Sequence, residues 1–141
     1  MYKPLLAFIF LFPLLAMAKR PNIIFILTDD QGYGDVNAHG HPYLKTPHTN
    51  KLREESVSFD NFYVSPSCSP TRAALLSGMH EFRTGVTHTI PPRQQLDETV
   101  VCFPELLKKN GYRTGFVGKW HLGNSPGPSE QGFDWCSTNQ A

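Results

Sequence analysis

Residues 68–78 read CSPTRAALLSG, and this stretch predicts a short helix with a reactive side chain at its mouth. Pro70 suits the first helical position, because its fixed φ matches the helix and its missing N–H is no loss there. Ser69 then falls at the N-cap, and the terminal glycine ends the helix. Cys68 is therefore expected just outside the positive end of the helix, where anions bind, with the charge of Arg72 about one turn in.

The pattern Cys-x-Pro-x-Arg alone is short, and it leaves open whether Cys68 is a catalytic group or a small buried hydrophobe. Its spacing excludes a tyrosine-phosphatase loop. Over its full length the stretch resembles the signature of the sulfatase family. In that family the cysteine is oxidised after synthesis to formylglycine, an aldehyde whose hydrate is the nucleophile. The resemblance implies that a formylglycine-generating or equivalent maturation enzyme acts on Cys68, and that Arg72 binds substrate and stabilises charge.

A second stretch, residues 20–35, reads RPNIIFILTDDQGYGD. Its apolar run Ile23–Leu27 predicts a strand buried on both faces of a parallel sheet. Asp29 and Asp30 follow directly, and such a pair is costly unless it is solvated or a cation lies between the carboxylates. Hard oxygen ligands favour calcium or magnesium over zinc. The arrangement resembles the first metal-ligand segment of the sulfatases, which implies calcium on Asp29, Asp30 and the formylglycine derived from Cys68.

A third stretch, residues 111–123, reads GYRTGFVGKWHLG. A short strand is predicted at Thr114–Val117. In an extended chain Lys119 and His121 point to one side and the residue between them to the other. They would form an anion clamp and a proton carrier on one face, although a surface turn is the alternative. The stretch resembles the sulfatase motif in which the lysine holds the sulfate and the histidine contacts the formylglycine hydroxyl.

The order of elements predicts an α/β fold with a mostly parallel sheet flanked by helices. Strands are expected at Ile23–Leu27, Val57–Val64 and Thr114–Val117, with helices at Pro47–Glu55 and from Phe103 to the glycine at 111. Thr87–Leu96, with two prolines, is expected to be a loop near the substrate. Because ligands bind outside the carboxyl ends of the strands, the three motifs should converge on one edge. The resemblance implies the alkaline-phosphatase-like version of this fold.

The amino terminus predicts a secretory signal peptide over residues 1–18. A positive Lys3 precedes the apolar run Leu5–Leu15, and cleavage is expected after Ala18. The run is too short for a confident membrane span, and no membrane segment is expected in the rest of the chain. We therefore expect a secreted or periplasmic protein. A net charge of +1 gives no reason to propose nucleic acid as a partner.

The remainder of the chain leaves two questions open. Cys102 and Cys136 could pair after export or remain free thiols. The resemblance also implies further site residues, namely an Asp-Asn metal pair, a second histidine and a second lysine, and none is found in this sequence. We therefore expect residues 19–141 to be the amino-terminal portion of a catalytic domain, with an incomplete sheet and exposed apolar surface.

Together these features predict a secreted sulfatase that hydrolyses sulfate monoesters of a small molecule or a carbohydrate. A phosphonate or phosphodiester hydrolase of the same superfamily shares Cys-x-Pro-x-Arg and is one alternative. A truncated, inactive secreted chain is the other. Carbohydrate, aryl and steroid sulfates all remain open as substrates.

Overall fold

The computed structural model describes residues 20–139 as an α/β structure with a two-stranded parallel sheet. The predicted signal peptide lies outside these residues. Within them, no helix is both long enough and apolar enough to cross a membrane. In chain order the elements are a 3₁₀ turn (Asn37–His39), helices α1 (Pro47–Glu54), α2 (Cys68–Ser77), α3 (Glu81–Thr84) and α4 (Phe103–Lys109), and strands β1 (Gly115–Lys119) and β2 (Trp135–Asn139).

Helix α2 begins two residues earlier than the sequence predicted. Its N-cap is Ser67, which is extended (φ −143°, ψ 159°), so the prediction of Ser69 at the N-cap was wrong. The Ser67 carbonyl accepts the backbone N–H of Thr71 (3.3 Å) and its hydroxyl (2.9 Å), and these bonds close the first turn around Cys68. Pro70 is tolerated there, because the first-turn N–H groups have no partner within the helix.

Helices α1 and α4 confirm their predictions. In α4 the side chain of Glu105 accepts the backbone N–H of Cys102 (2.8 Å), as in a capping box. Cys102 is fully buried, and burial raises the pKa of its thiol to about 11. Cys136 contacts the Ser129 hydroxyl instead (3.2 Å), and both cysteines are free thiols.

The third predicted strand is present as β1, shifted by one residue at its start and continuing to Lys119. Strand β2 pairs with it in parallel, from Gly115 opposite Trp135 to Lys119 opposite Asn139. The sequence did not predict β2, because WCSTN shows neither a continuous apolar run nor alternation. The carboxyl end of β1 therefore carries Lys119 towards the site.

The predictions of two further strands were wrong, since the described residues 20–139 contain strands only at β1 and β2. Ile23–Leu27 and Val57–Val64 form no strand there, and the side chains in the first segment are 38–86% exposed. Strand pairing needs a partner that takes up the backbone hydrogen bonds, and no described segment supplies one. Both segments instead line an open cavity of about 1140 Å³ beside α1 and α2.

The core lies where α2, the 87–96 loop and the chain after β1 meet. The buried rings of Trp120 and Phe133 belong to this core, and the partly buried Phe116 packs against them. The three rings lie 5.2–6.5 Å apart in tilted or edge-on contacts. Trp120 is only 1% exposed. The anchored tryptophan fixes the chain between Lys119 and His121, which are the two polar residues of the third motif.

Candidate active site

Cys68 and His121 lie in contact, although they are far apart in sequence. The Sγ atom of Cys68 is 3.1 Å from Nδ1 of His121. Cys68 is the first residue of α2, so its side chain lies beside the N–H groups that have no partner within the helix. The arrangement places an ionisable ring next to a nucleophilic side chain at the positive end of a helix.

His121 has a backbone conformation that the sequence did not predict. Its φ is 55°, in the left-handed region, so the chain is no longer extended beyond Trp120. The predicted alternation of Lys119 and His121 therefore fails at His121, yet both side chains reach the same site. The other ring nitrogen, Nε2, lies 3.0 Å from the carbonyl oxygen of Thr89.

Arg72 is buried and connects α2 to β1 and to the first motif. Its Nη1 donates to the carbonyl of Lys119 (2.5 Å), and its Nη2 lies 3.5 Å from Oδ1 of Asp29. The Nε atom of Arg72 is buried without a hydrogen-bond partner among the described residues. A guanidinium keeps its charge when buried, so Arg72 is a fixed positive charge on α2, four residues after Cys68.

Asp29 lies between two positive charges. Its Oδ2 accepts a hydrogen bond from Nζ of Lys119 at 2.9 Å, and its Oδ1 faces Arg72. The hydrogen bond from Lys119, aided by both charges, lowers the pKa of Asp29. The same hydrogen bond raises the pKa of Lys119. Both groups are therefore held in their charged forms at neutral pH.

The carboxylates of the first motif fit a hard divalent cation by the chemistry of their donors. Asp29 already has cationic partners on both oxygens, which marks it as a carboxylate held in its ionised form. The neighbouring Asp30 is exposed and has a φ of 52°. Among residues 20–139, no group of three or more histidine, cysteine, aspartate or glutamate side chains is arranged to hold a metal. The two aspartates can thus supply only part of a calcium shell, which takes 6–8 oxygen ligands.

Sequence reasoning missed the contact that Thr89 makes with His121. It placed the 87–96 segment as a loop near the substrate, and the described segment indeed contains no helix or strand. The atom in contact is a backbone carbonyl, which every residue carries. No residue type in the sequence could therefore have signalled it.

The comparisons with known proteins identify the family and support the fold. The family model described as sulfatase matches residues 21–141. The chain therefore belongs to the sulfatase family.

Two curated relatives show how much of such proteins the chain represents. It is 42% identical over 127 residues to arylsulfatase J of Mus musculus, covering 84% of this chain and 21% of the relative. It is 41% identical over 135 residues to N-acetylgalactosamine-6-sulfatase of Homo sapiens, covering 82% of this chain and 25% of the relative. The chain thus spans about a quarter or less of the length of these relatives.

A solved structure supports the fold assignment. It matches with a TM-score of 0.72 and 37% identity, covering 83% of this chain and 23% of that one. It is the structure of a complex between that protein and its substrate, D-glucosamine-2-N,6-O-disulfate. The fold is the α/β fold that the order of elements predicted, with a parallel sheet and flanking helices, in the alkaline-phosphatase-like version that the resemblance implied.

Proposed function

We propose that this chain carries the nucleophile, Cys68, and the residues around it in the active site of a secreted sulfatase that hydrolyses sulfate monoesters. One observation supports this most strongly. Residues from three separate stretches of sequence form one contact network, in which Cys68 meets His121 and Arg72 joins Lys119 to Asp29. Each stretch was selected from the sequence alone, so their meeting at one site supports a shared function.

In this proposal Lys119 and Arg72 bind the sulfate group and stabilise negative charge as the ester bond breaks. Arg72 is buried and Lys119 is 25% exposed, so both charges act where water screens them less than at the surface. His121 accepts a proton at Nδ1 from the group on residue 68, which lies within hydrogen-bonding distance of that atom. This proton transfer would assist the release of sulfate.

Asp29 and Asp30 would hold calcium, together with the oxygen of formylglycine at residue 68 and ligands beyond those described. When bound, calcium would polarise the sulfate oxygens, and formylglycine would supply a hydroxyl nucleophile. The chain would hold the calcium ion and the formylglycine in fixed positions relative to each other. The contact between Arg72 and the backbone of Lys119 fixes α2 against β1 for that purpose.

We propose a sulfated carbohydrate as the substrate class. N-acetylgalactosamine-6-sulfatase is among the relatives, and a matching solved structure contains a sulfated glucosamine as that protein's substrate. The proposal also includes removal of residues 1–18 during export and oxidation of Cys68 by a maturation enzyme. Secretion would bring the protein into contact with extracellular or periplasmic sulfated glycans.

The test measures the turnover of different esters by the full-length protein and its variants. Full-length protein here means the chain with all the sequence that it has in the cell, produced together with the maturation enzyme. We expect turnover of N-acetylgalactosamine 6-sulfate or an activated aryl sulfate, and much slower turnover of a phosphonate monoester. Cys68→Ala should reduce sulfate turnover by at least about 10³-fold, because it removes the nucleophile. Cys136→Ala is the matched control and should remain active, since the thiol of Cys136 forms a hydrogen bond with Ser129 and lies outside the contact network around Cys68. Faster turnover of the phosphonate, or full activity of Cys68→Ala, would contradict the proposal.

A further inference from the structure

The loop between α3 and α4 contacts the ring of His121 on the side away from Cys68. The carbonyl oxygen of Thr89 lies 3.0 Å from Nε2, and Cys68 Sγ lies 3.1 Å from Nδ1. A carbonyl can only accept a hydrogen bond, so Nε2 must carry the hydrogen in this contact. In the neutral ring, Nδ1 is then the unprotonated nitrogen, and its lone pair faces residue 68.

The loop is held firmly enough to impose this geometry. The N–H of Leu96 donates to the carbonyl of Leu122 (3.0 Å), which directly follows His121, and both leucine side chains are fully buried. Within the loop, the Arg93 carbonyl accepts the N–H groups of Thr87 (3.0 Å) and His88 (3.2 Å). Hydrogen bonds therefore tie the loop to itself and to the chain beside His121.

The backbone of His121 shows why such support is needed. Its φ of 55° is uncommon for a residue other than glycine, and such conformations persist only where the surroundings impose them. On one side Trp120 anchors the chain in the core, and on the other Leu122 is fully buried. The ring itself lies between Thr89 and Cys68, so these two contacts set its orientation.

We infer that Thr89, through its backbone carbonyl, is a positioning residue that selects the Nε2–H tautomer of His121. Nδ1 is thereby the atom that accepts the proton from the group on residue 68. The catalytic meaning of this inference rests on the proposed function. The hydrogen bond between Nε2 of His121 and the Thr89 carbonyl does not depend on the proposed function, and it can be measured separately.

The experiment uses the full-length protein with ¹⁵N-labelled histidine, and His121→Asn identifies the signals of His121. Replacing Ile90 by its α-hydroxy acid counterpart turns the Thr89–Ile90 amide into an ester, whose carbonyl is a weaker acceptor. The matched control makes the same replacement at Glu98. That control weakens the Asp97 carbonyl, which accepts the N–H of Val100 and does not touch His121.

In the unaltered protein we expect the ¹⁵N spectrum to show a protonated Nε2 and an unprotonated Nδ1 in the neutral ring. The ester at residue 90 should increase the other tautomer. It should also lower kcat by about three- to tenfold with KM unchanged, the effect of weakening one hydrogen bond. The ester at residue 98 should change neither quantity.

Two results would overturn the inference. One is a neutral ring protonated mainly at Nδ1 in the unaltered protein. The other is an ester at residue 90 with the spectrum and kcat of the control. A third result would leave the hydrogen bond intact but contradict the proposed function: the expected tautomer in a protein that hydrolyses no sulfate ester. The catalytic role of Thr89 would then be wrong as well.

Discussion

Asp29 is the residue on which the charges of the site converge. It accepts a hydrogen bond from Lys119 and faces Arg72, while the third motif continues to His121 and its contact with Cys68. All five residues were candidates from the sequence, because each stands in a stretch that resembles a sulfatase motif, and the structure brings them into one contact network. It did not predict the contact of Asp29 with Lys119, since ion pairing depends on how the segments pack.

The ion pair between Asp29 and Lys119 predicts competition with calcium. A cation that binds Asp29 through Oδ2 competes with the Lys119 ammonium for that oxygen. We therefore expect Lys119→Met to raise the calcium affinity of the full-length protein by about two- to fivefold, the strength of a partly exposed ion pair. Isothermal titration calorimetry measures this change directly.

Lys108→Met is the matched control for this experiment. Lys108 forms a similar ion pair with Asp134 (2.7 Å), which belongs to a different network from Asp29. Its removal takes away the same charge and should leave calcium affinity unchanged. Equal effects of the two substitutions, or weaker binding in Lys119→Met, would show that Lys119 does not compete for the metal carboxylate.

At the level of elements, the carboxylate of Asp134, just before β2, links the start of β1 to helix α4 through hydrogen bonds and an ion pair. Asp134 accepts hydrogen bonds from the Thr114 N–H (3.0 Å) and hydroxyl (3.2 Å), and it forms an ion pair with Lys108 in α4. Its own N–H donates to the Thr114 carbonyl (3.0 Å). These bonds set the start of β1, which carries Lys119 at its other end.

This network predicts a pH-dependent contribution to stability. The hydrogen bond from Lys108, with the Thr114 N–H, lowers the pKa of Asp134 from 3.8 to about 2. Between these values the unfolded chain binds more protons than the folded protein, so stability falls as the pH falls. The stabilisation is fully present above the unfolded value and is lost as the pH approaches 2.

Asp134→Asn should therefore lower the Tm of the full-length protein most above about pH 5, with the difference from the unaltered protein shrinking towards pH 2. Differential scanning calorimetry across this range tests the prediction. Glu98→Gln, at an exposed carboxylate, should give a small difference with no such trend. A constant Tm difference for Asp134→Asn would show that the charge of Asp134 does not matter.

The helices were more predictable than the strands. Proline near the start of α1 and α4, and lysines in the last turn of α4, are local signals that the structure confirms. Strands depend on partners elsewhere in the chain, which a local pattern does not contain. Ile23–Leu27 has the apolar, β-branched composition of a strand and forms no strand within the described residues. The segment WCSTN has little of that composition and forms β2.

At the scale of the whole molecule, much apolar surface is open. Ile24, Ile26, Val57 and Tyr63 are each at least 80% exposed, and Phe59 is 77% exposed. Four of these side chains, those of Ile26, Val57, Phe59 and Tyr63, line the same open cavity, and exposed apolar surface promotes association with other surfaces. The chain also spans about a quarter or less of the length of the relatives described above.

We therefore expect residues 19–141, expressed alone with Cys68 converted, to turn over an activated aryl sulfate far more slowly than a sulfatase of the relatives' length. In the proposed site the described residues supply two carboxylates for calcium, those of Asp29 and Asp30, whereas calcium takes six or more oxygens. In the contact network around Cys68 they place one histidine, His121, and a separate proton donor for the leaving group is typically worth about 10²–10⁴-fold. A turnover rate within about tenfold of that sulfatase would show that this segment is sufficient.

The central claim is that Cys68 is the precursor of the nucleophile, and mass spectrometry tests it most directly. The full-length protein is produced with the maturation enzyme, shown to hydrolyse a sulfate ester, and digested. The peptide that contains Cys68 should have lost the mass expected for conversion of the thiol to an aldehyde, while the peptides with Cys102 and Cys136 keep their thiols. An intact thiol at Cys68 throughout an active preparation would contradict the account.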